Sequence, residues 1–435
     1  MTSESIDESK YDHEFVGDIS PDTTIPNNSH ILIISRDQSY LTHGIHKFPA
    51  KFFPELPRYL IRKYSHKHQS VLDPMCGSGT VILESLLLER KSIGIDIDPM
   101  AHLITRTKTT PIEPQILLEA RKELLSILSS LESHRYQNIT VPDFHYRDSW
   151  FKPFVLTELG AIREVLFSMS NTYDASVMNF LRVVFSSIIR DVSNADPHCT
   201  RTVIRKNLTK RINPGDTITK FLAALDSQIE SMKDFYEVVK KVDWDSPMIY
   251  LSSAKQTSLD EASVDLAITS PPYINAVDYP RTHQLEMYWL GLIDDKPLSK
   301  MKRNYIGTET VYKDEYSDPK KSDYQTLDPI LERIYTHDPR RSFIVFKFFE
   351  DMKSQLAETF RVLRPGGRYC IAIGNNSIRG VTVESHKILT EIATSSEIGF
   401  DIERSFFSGL IRHFIKIPRR ERMHGEWVII LQKPM

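Results

Sequence analysis

Cysteine is scarce in this chain, with three residues, Cys76, Cys199 and Cys370, among 435. They are too few and too scattered for a disulfide framework or a cysteine-based zinc site, and the usage points to a reducing compartment. No apolar run reaches the roughly 18 residues of a membrane helix; the stretch VMNFLRVVFSSII is interrupted by Arg182. The opening MTSESIDESKYDHEF is polar and acid-rich and holds no apolar h-region, so no signal peptide is expected. A charge excess is missing as well: 55 basic residues face 57 acidic ones. That balance excludes a protein that coats nucleic acid by bulk charge, though not one with a local basic face. Internal repeats and low-complexity blocks are absent. What remains is ordinary globular composition, 40% hydrophobic and 26% charged, over a length that suits two or three structural units. A cytoplasmic protein without membrane or metal partners is the expectation.

Along the chain, residues 1–29 read as a disordered tail rich in Ser, Asp, Glu, Pro and Asn. His30 to Ile34 is strand-like, and Glu55 to Tyr64 has helical spacing after Pro54. A β-α-β unit follows: a short strand at Val71-Leu72, the turn DPMCGSGT, a helix over Val81 to Glu89 and a strand over Ser92 to Ile97. Residues 105–247 are helical in period. Strand and helix then alternate again, from the strands at Met248 to Leu251 and Val264 to Thr269 onward. A loop-rich stretch lies at about 291–330, a helix at Phe348 to Leu363, a strand at Tyr369 to Gly374 and a last strand at Trp427 to Leu431. The pattern predicts a doubly wound, Rossmann-like α/β sheet with a large helical insertion. Ligands of such sheets bind at the carboxyl ends of the strands.

The turn Asp73 to Thr80 falls at such an end. Gly77 and Gly79 let the backbone approach a ligand and enter a helix whose N–H groups face outward. Neither GxGxxG nor GxxxxGK[ST] is present, so a phosphate is not the expected guest. Instead Asp73 opens the loop, where it would receive a cation. Asp96 closes the next strand, where a carboxylate would hold a ribose diol. A ligand with an ammonium, a ribose and no phosphate fits S-adenosylmethionine better than NAD or ATP. DPMCGSGT followed by GIDIDP resembles the cofactor site of the S-adenosylmethionine-dependent DNA amino-methyltransferases, which act on exocyclic amines of adenine or cytosine. The resemblance implies that Asp73, Pro74, Cys76, Gly77, Ser78, Gly79, Thr80, Asp96 and Ile97 hold the cofactor. Cys76 would be a small loop residue without redox chemistry, and Asp98 the second candidate for the ribose or, more in keeping with its place, a surface or turn residue. The upstream HGIHKFPAKFFPELPR resembles the segment before this loop in the same family, which brings Phe52 to the cofactor with Lys51 and His46 nearby.

The second informative stretch is VDLAITSPPYINAVDY. Pro271 and Pro272 fix φ and remove two donors, leaving carbonyls free to accept in a rigid turn. Ser270 adds a hydroxyl, and Tyr273 a ring on which a base could stack. The amine of that base could donate to Ser270 and to the Pro271 carbonyl, which holds its nitrogen in line for transfer. Ser-Pro-Pro-Tyr resembles the family's catalytic motif. The serine form implies an N4-cytosine enzyme, and an Asp or Asn there an N6-adenine one. Ser253-Ala254 ends the third core strand, where many methyltransferases carry an acidic residue for the adenine. His283 is expected to be a capping or core-edge residue.

The resemblance divides the chain into a cofactor-binding half at 30–104, a helical insertion at 105–247 as candidate target-recognition region, and a catalytic half at 248–435. Arg201, Arg205, Lys206, Lys210 and Arg211 form a basic stretch without an intervening acid, and Arg419 and Arg420 belong to another. A third is Lys300, Lys302 and Arg303. Each alone reads as a solvated face; together they suggest phosphate contacts to double-stranded DNA. The implied function is site-specific N4-cytosine methylation, protecting DNA from a cognate restriction endonuclease. The alternatives are N6-adenine methylation, RNA amino-methylation and a catalytically idle DNA-binding subunit.

Overall fold

The computed structural model describes residues 11–133, 139–205, 210–274, 277–293, 298–410 and 425–435. Its strands are β1 (His13–Val16), β2 (His30–Ile34), β3 (Ser70–Asp73), β4 (Lys91–Asp96), β5 (Met248–Leu251), β6 (Val264–Thr269), β7 (Leu363–Ile373), β8 (Asn376–Ile378), β9 (Val381–Val383), β10 (Asp401–Leu410) and β11 (Gly425–Gln432). Nine of them form one sheet in the order β1-β2-β10-β11-β7-β6-β3-β4-β5, and β8 with β9 is a separate hairpin. All neighbours in the large sheet run parallel except β11, which is antiparallel to both β7 and β10. The strand order reverses between β3 and β6, the crevice where doubly wound sheets take their ligands.

Alternation along the strands builds the two faces. Val71, Leu266 and Ile268 share one buried cluster with Tyr59, Leu60 and Ile61 of helix α1 (Glu55–Tyr64). Leu72 and Ala267 point the other way, into a cluster with Phe348, Met352 and Leu356. This period of two with apolar residues on both faces is what a parallel sheet covered by helices requires. Helix α2 (Thr80–Leu87) crosses from β3 to β4, and α3 (Pro99–Thr109) follows β4 and packs on β4 and β5.

The helical insertion contains α4 (Pro114–Ser133), α5 (Arg147–Trp150), α6 (Pro153–Ser168), α7 (Ala175–Val192) and α8 (Asp216–Val239). Its start shifts: residues 105–109 belong to α3, whose Leu103 and Ile104 serve the same helical cluster. In the catalytic half, α9 (Tyr279–Thr282) and α10 (Gln284–Leu290) follow β6, then α11 (Leu298–Arg303), α12 (Asp328–Tyr335), α13 (Pro339–Val362) and α14 (Ser385–Ala393). Helix α13 begins well before Phe348, with Asp338 capping it and Pro339 in its first turn. Leu285, Met287 and Trp289 of α10 bury themselves among the insertion helices rather than on the sheet.

The expected tail is also corrected. Within it, residues 11–29 are packed: β1 pairs with β2, and Ile19 and Ile25 are buried. Few apolar residues suffice here because the segment adds to an existing sheet edge. Asp18 pairs with Arg58 and Arg62 of α1. Residues 1–10 lie outside the described residues.

Candidate functional site

The carboxyl ends of β3, β4, β5 and β6 converge on one cavity of about 850 Å³ counted to its open mouth. Asp73 ends β3, Asp96 ends β4, Ser253 and Ala254 follow β5, and Ser270 and Pro272 follow β6; all line it. Phe48, Lys51 and Phe52 close it from the upstream segment, and Tyr279, Asn304 and Tyr305 from the segment after β6. The structure thus brings together both loops expected from the sequence.

The cofactor loop is braced by its own polar atoms. Asp96 accepts from the Gly77 N–H at 2.8 Å and from the Asp98 N–H at 2.8 Å. Thr105 donates its hydroxyl to the Gly77 carbonyl at 2.9 Å. Gly79 sits at φ 75 directly before α2, and a Cβ there would lie 2.6 Å from the Thr105 methyl. Glycine is therefore required twice over, by conformation and by space. Thr269 donates to Asp73 at 2.8 Å, tying the catalytic strand to the cofactor loop. Of the expected cofactor residues, Pro74, Cys76, Gly77, Ser78, Thr80 and Ile97 line the cavity, while Gly79 is placed behind them as the helix entry.

Burial pushes Asp73 up to about 7 and Asp96 up to about 7; the charge of Asp96 adds to the rise at Asp73, and that of Asp98 to the rise at Asp96. Lys51, in the same wall, is no counter-ion: its Nζ donates to the Gln38 and His43 carbonyls, and burial lowers it to about 8. Buried carboxylates with no cation paired to them among the described residues, in a cavity also lined by Phe48, Phe52, Tyr279 and Tyr305, suit a guest that brings a positive charge and hydroxyl donors. S-adenosylmethionine has both, and the residues present here fit it.

Several expectations change. Asp98 is not at the surface but 2% exposed: it caps α3 and accepts from the Tyr305 hydroxyl at 3.1 Å. The open platform expected of Tyr273 is absent. Its ring is 9% exposed, packed with Ile274 and Phe348, and its hydroxyl donates to Glu426. Tyr279 and Tyr305 present their rings to the cavity instead. His283 caps nothing with its side chain; it is buried against Phe48 and His46, and burial lowers it to about 3. Tyr279, Tyr305 and Glu426 carried no sequence signal, since Tyr279 opens the short helix α9, Tyr305 lies in a loop and Glu426 at the start of β11.

The basic stretch is mostly spent internally. Lys210 donates to the Arg190, Asp191 and Ser193 carbonyls at the end of α7, where unpaired helix carbonyls attract a cation. Arg205 pairs with Asp196 at 2.7 Å. Arg201 faces Glu309 at 3.7 Å beside a second cavity, of about 410 Å³, that shares Tyr279 and Tyr305 with the first. Arg211 is exposed. In the third run, Lys302 pairs with Asp278 and Arg303 with Glu315. Lys206, Arg419 and Arg420 lie outside the described residues.

Comparison with known proteins adds to this geometry. The profile of the family described as DNA methylase matches residues 7–106. The chain is 25% identical over 385 residues to the Type II methyltransferase M.MvaI of Kocuria varians, covering 84% of each. It is 21% identical to the Type II methyltransferase M.BsoBI of Geobacillus stearothermophilus, covering 86% of this chain and 81% of the other. Among solved structures, a SAM-dependent methyltransferase from Methanosarcina mazei aligns over 86% of this chain and 97% of its own, at 12% identity and a TM-score of 0.32. The profile over residues 7–106, the relatives along the chain's length and the two loops meeting in one cavity all point to similarity with DNA methyltransferases.

Proposed function

We propose that this chain is a site-specific DNA methyltransferase that modifies the N4 amine of cytosine in duplex DNA as the partner of a restriction endonuclease. The observation that carries the reading is that Ser270 and Pro272 share one cavity with Asp73 and Asp96. A serine hydroxyl stands where the resemblance would place an Asp or Asn for adenine. The Type II methyltransferases to which the chain is similar favour a restriction setting.

S-adenosylmethionine supplies an electrophilic methyl group on a sulfonium. Asp73 would hold the ammonium end, Asp96 the ribose hydroxyls, and Phe52 and Ile97 the apolar flank. Ser253 takes the place of the acidic residue common at the third strand and would offer its hydroxyl to the adenine. Ser270 and the Pro271 carbonyl accept from the exocyclic amine, whose lone pair is otherwise delocalised into the ring. Two acceptors favour a more tetrahedral nitrogen and fix its direction, so orientation and preorganised dipoles carry the rate. The base must leave the helix stack to reach them. Arg201 and Arg211, at the insertion, are the described basic residues best placed for phosphates; Lys206, Arg419 and Arg420 are candidates from sequence.

Mass spectrometry of nucleosides from unmethylated DNA incubated with the protein and S-adenosylmethionine tests the reading. N4-methylcytosine is expected. N6-methyladenine would overturn the inference from Ser270 and keep the rest, and a blank result on DNA would overturn the proposed reaction.

A further inference from the structure

The catalytic loop does not end at its four residues. Tyr273 turns its hydroxyl away from the cavity toward Glu426, the second residue of β11. The Ser270 side chain neighbours the same Tyr273 hydroxyl and works against the rise that burial imposes on it. Because β11 runs antiparallel to its neighbours, its first residues meet the carboxyl edge of β6 and β7, and the topology thereby delivers a carboxylate behind the catalytic loop. The result is a row of polar side chains from the cavity wall inward, Ser270, Tyr273 and Glu426, its inner two joined by a hydrogen bond.

We propose that Glu426 ends a proton path that begins at Ser270 and passes through Tyr273, and that it takes up the proton the target amine sheds on methylation. The inference rests on the reading above. When the amine nitrogen gains its new bond to the methyl carbon and the bond from that carbon to sulfur breaks, the nitrogen becomes cationic and one N–H proton must leave. It passes to the Ser270 oxygen as the Ser270 proton passes to Tyr273 and the Tyr273 proton to Glu426. Both hydroxyls end as they began, the amine is neutral, and Glu426 is a neutral carboxylic acid that returns its proton to solvent between turnovers.

The surroundings suit a terminal acceptor. Burial raises the Glu426 carboxyl while the Tyr273 hydrogen bond restrains it, which makes it a stronger base than an exposed glutamate. Among the described residues no cation neutralises it; the titratable groups that face it are Tyr273 and Tyr279. Neighbouring Trp427 is held by His386, stacked at 4.3 Å and 5°, so the start of β11 has little freedom to withdraw. Tyr273 and Glu426 are positioning residues, since neither touches the base; both act through Ser270.

The test is single-turnover methylation of unmethylated duplex DNA at saturating S-adenosylmethionine by the full chain, by Tyr273→Phe, by Glu426→Gln and by the double variant. Tyr273→Phe keeps the ring and removes only the middle of the path, so it serves even if Glu426→Gln does not fold. Each single variant is expected to lose about 100-fold in rate at saturation, the scale of one lost proton-transfer group. The double variant is expected to lose no more than the worse single, as members of one chain do. Affinities for S-adenosylmethionine and DNA should stay within about twofold, since a removed hydrogen bond outside the binding surfaces leaves them intact. A wild-type rate in either single variant, a multiplied loss in the double, or a loss confined to affinity would overturn the path. An active wild type with unaffected variants sinks only this inference; a wild type inactive on DNA sinks the proposed reaction with it.

Discussion

Two clusters centred on buried carboxylates, one within helix α2 and one before its N-terminus, are handled in opposite ways. Glu84, inside the helix, is 1% exposed and saturated: Tyr40, His43 at 2.9 Å and Arg58 at 2.8 Å all donate to it. Burial alone would raise it, but the hydrogen bonds from His43 and Arg58 more than offset that and leave it below the ordinary range. Asp73 and Asp96, in front of the same helix, have hydrogen-bond donors but no cation, and burial raises both to about 7. The first group fastens the upstream segment to the core. The second is left electrostatically incomplete, and only a guest completes it.

The contrast breaks most visibly at Glu84. Glu84→Ala strands Arg58 and His43 and should cost about 3–5 kcal/mol of stability, read from urea unfolding. Asp73→Asn should leave stability equal or higher, because it removes a charge that the fold disfavours. The same change should weaken S-adenosylmethionine binding by about 10- to 100-fold, the worth of one charged hydrogen bond, read by calorimetry. If Asp73→Asn instead unfolds the protein with unchanged affinity, the two groups are alike and the contrast is wrong.

pH sharpens it further. The fold raises the Asp73 and Asp96 carboxyls, so the native state binds more protons than the unfolded chain between about pH 4 and about 7. Their contribution to stability is complete below about pH 4 and is lost as pH rises through about 7. A cationic guest favours the ionised form, so its affinity should rise across the same interval to about pH 8, with a proton released on binding near pH 7. Calorimetry in buffers of different ionisation enthalpy counts that proton; Asp73→Asn should reduce it. The smallest effect is expected at the insertion. Arg211→Glu should lower the slope of log affinity against log salt by about 0.9 if Arg211 meets one phosphate, at every DNA sequence. An unchanged slope would return Arg211 to an ordinary solvated face.

Much of this molecule is legible without coordinates. Val71 to Thr80 and Val264 to Tyr273 are local units: an apolar strand, then a turn whose Gly or Pro dictates its conformation. Helices α4, α6, α7 and α8 are likewise written in their apolar spacing. Such features depend on residues a few positions apart, which is why the family resemblance could be read from them. Other features depend on partners remote in the chain. Residues 11–29 look polar and free until β2 offers an edge. Helix α10 looks like a continuation of the catalytic half until Trp289 is buried among the insertion helices. Lys210 looks like a phosphate ligand until it meets the carbonyls ending α7. Glu426 lies 153 residues from Tyr273, and only the antiparallel entry of β11 at the carboxyl edge brings them together. The sequence by itself determined which two turns meet at the cavity as candidate functional loops, because their backbone constraints and side chains are local. The tertiary structure decided which charges are satisfied by the protein and which await a guest, because burial and long-range pairing set the cost of a charge.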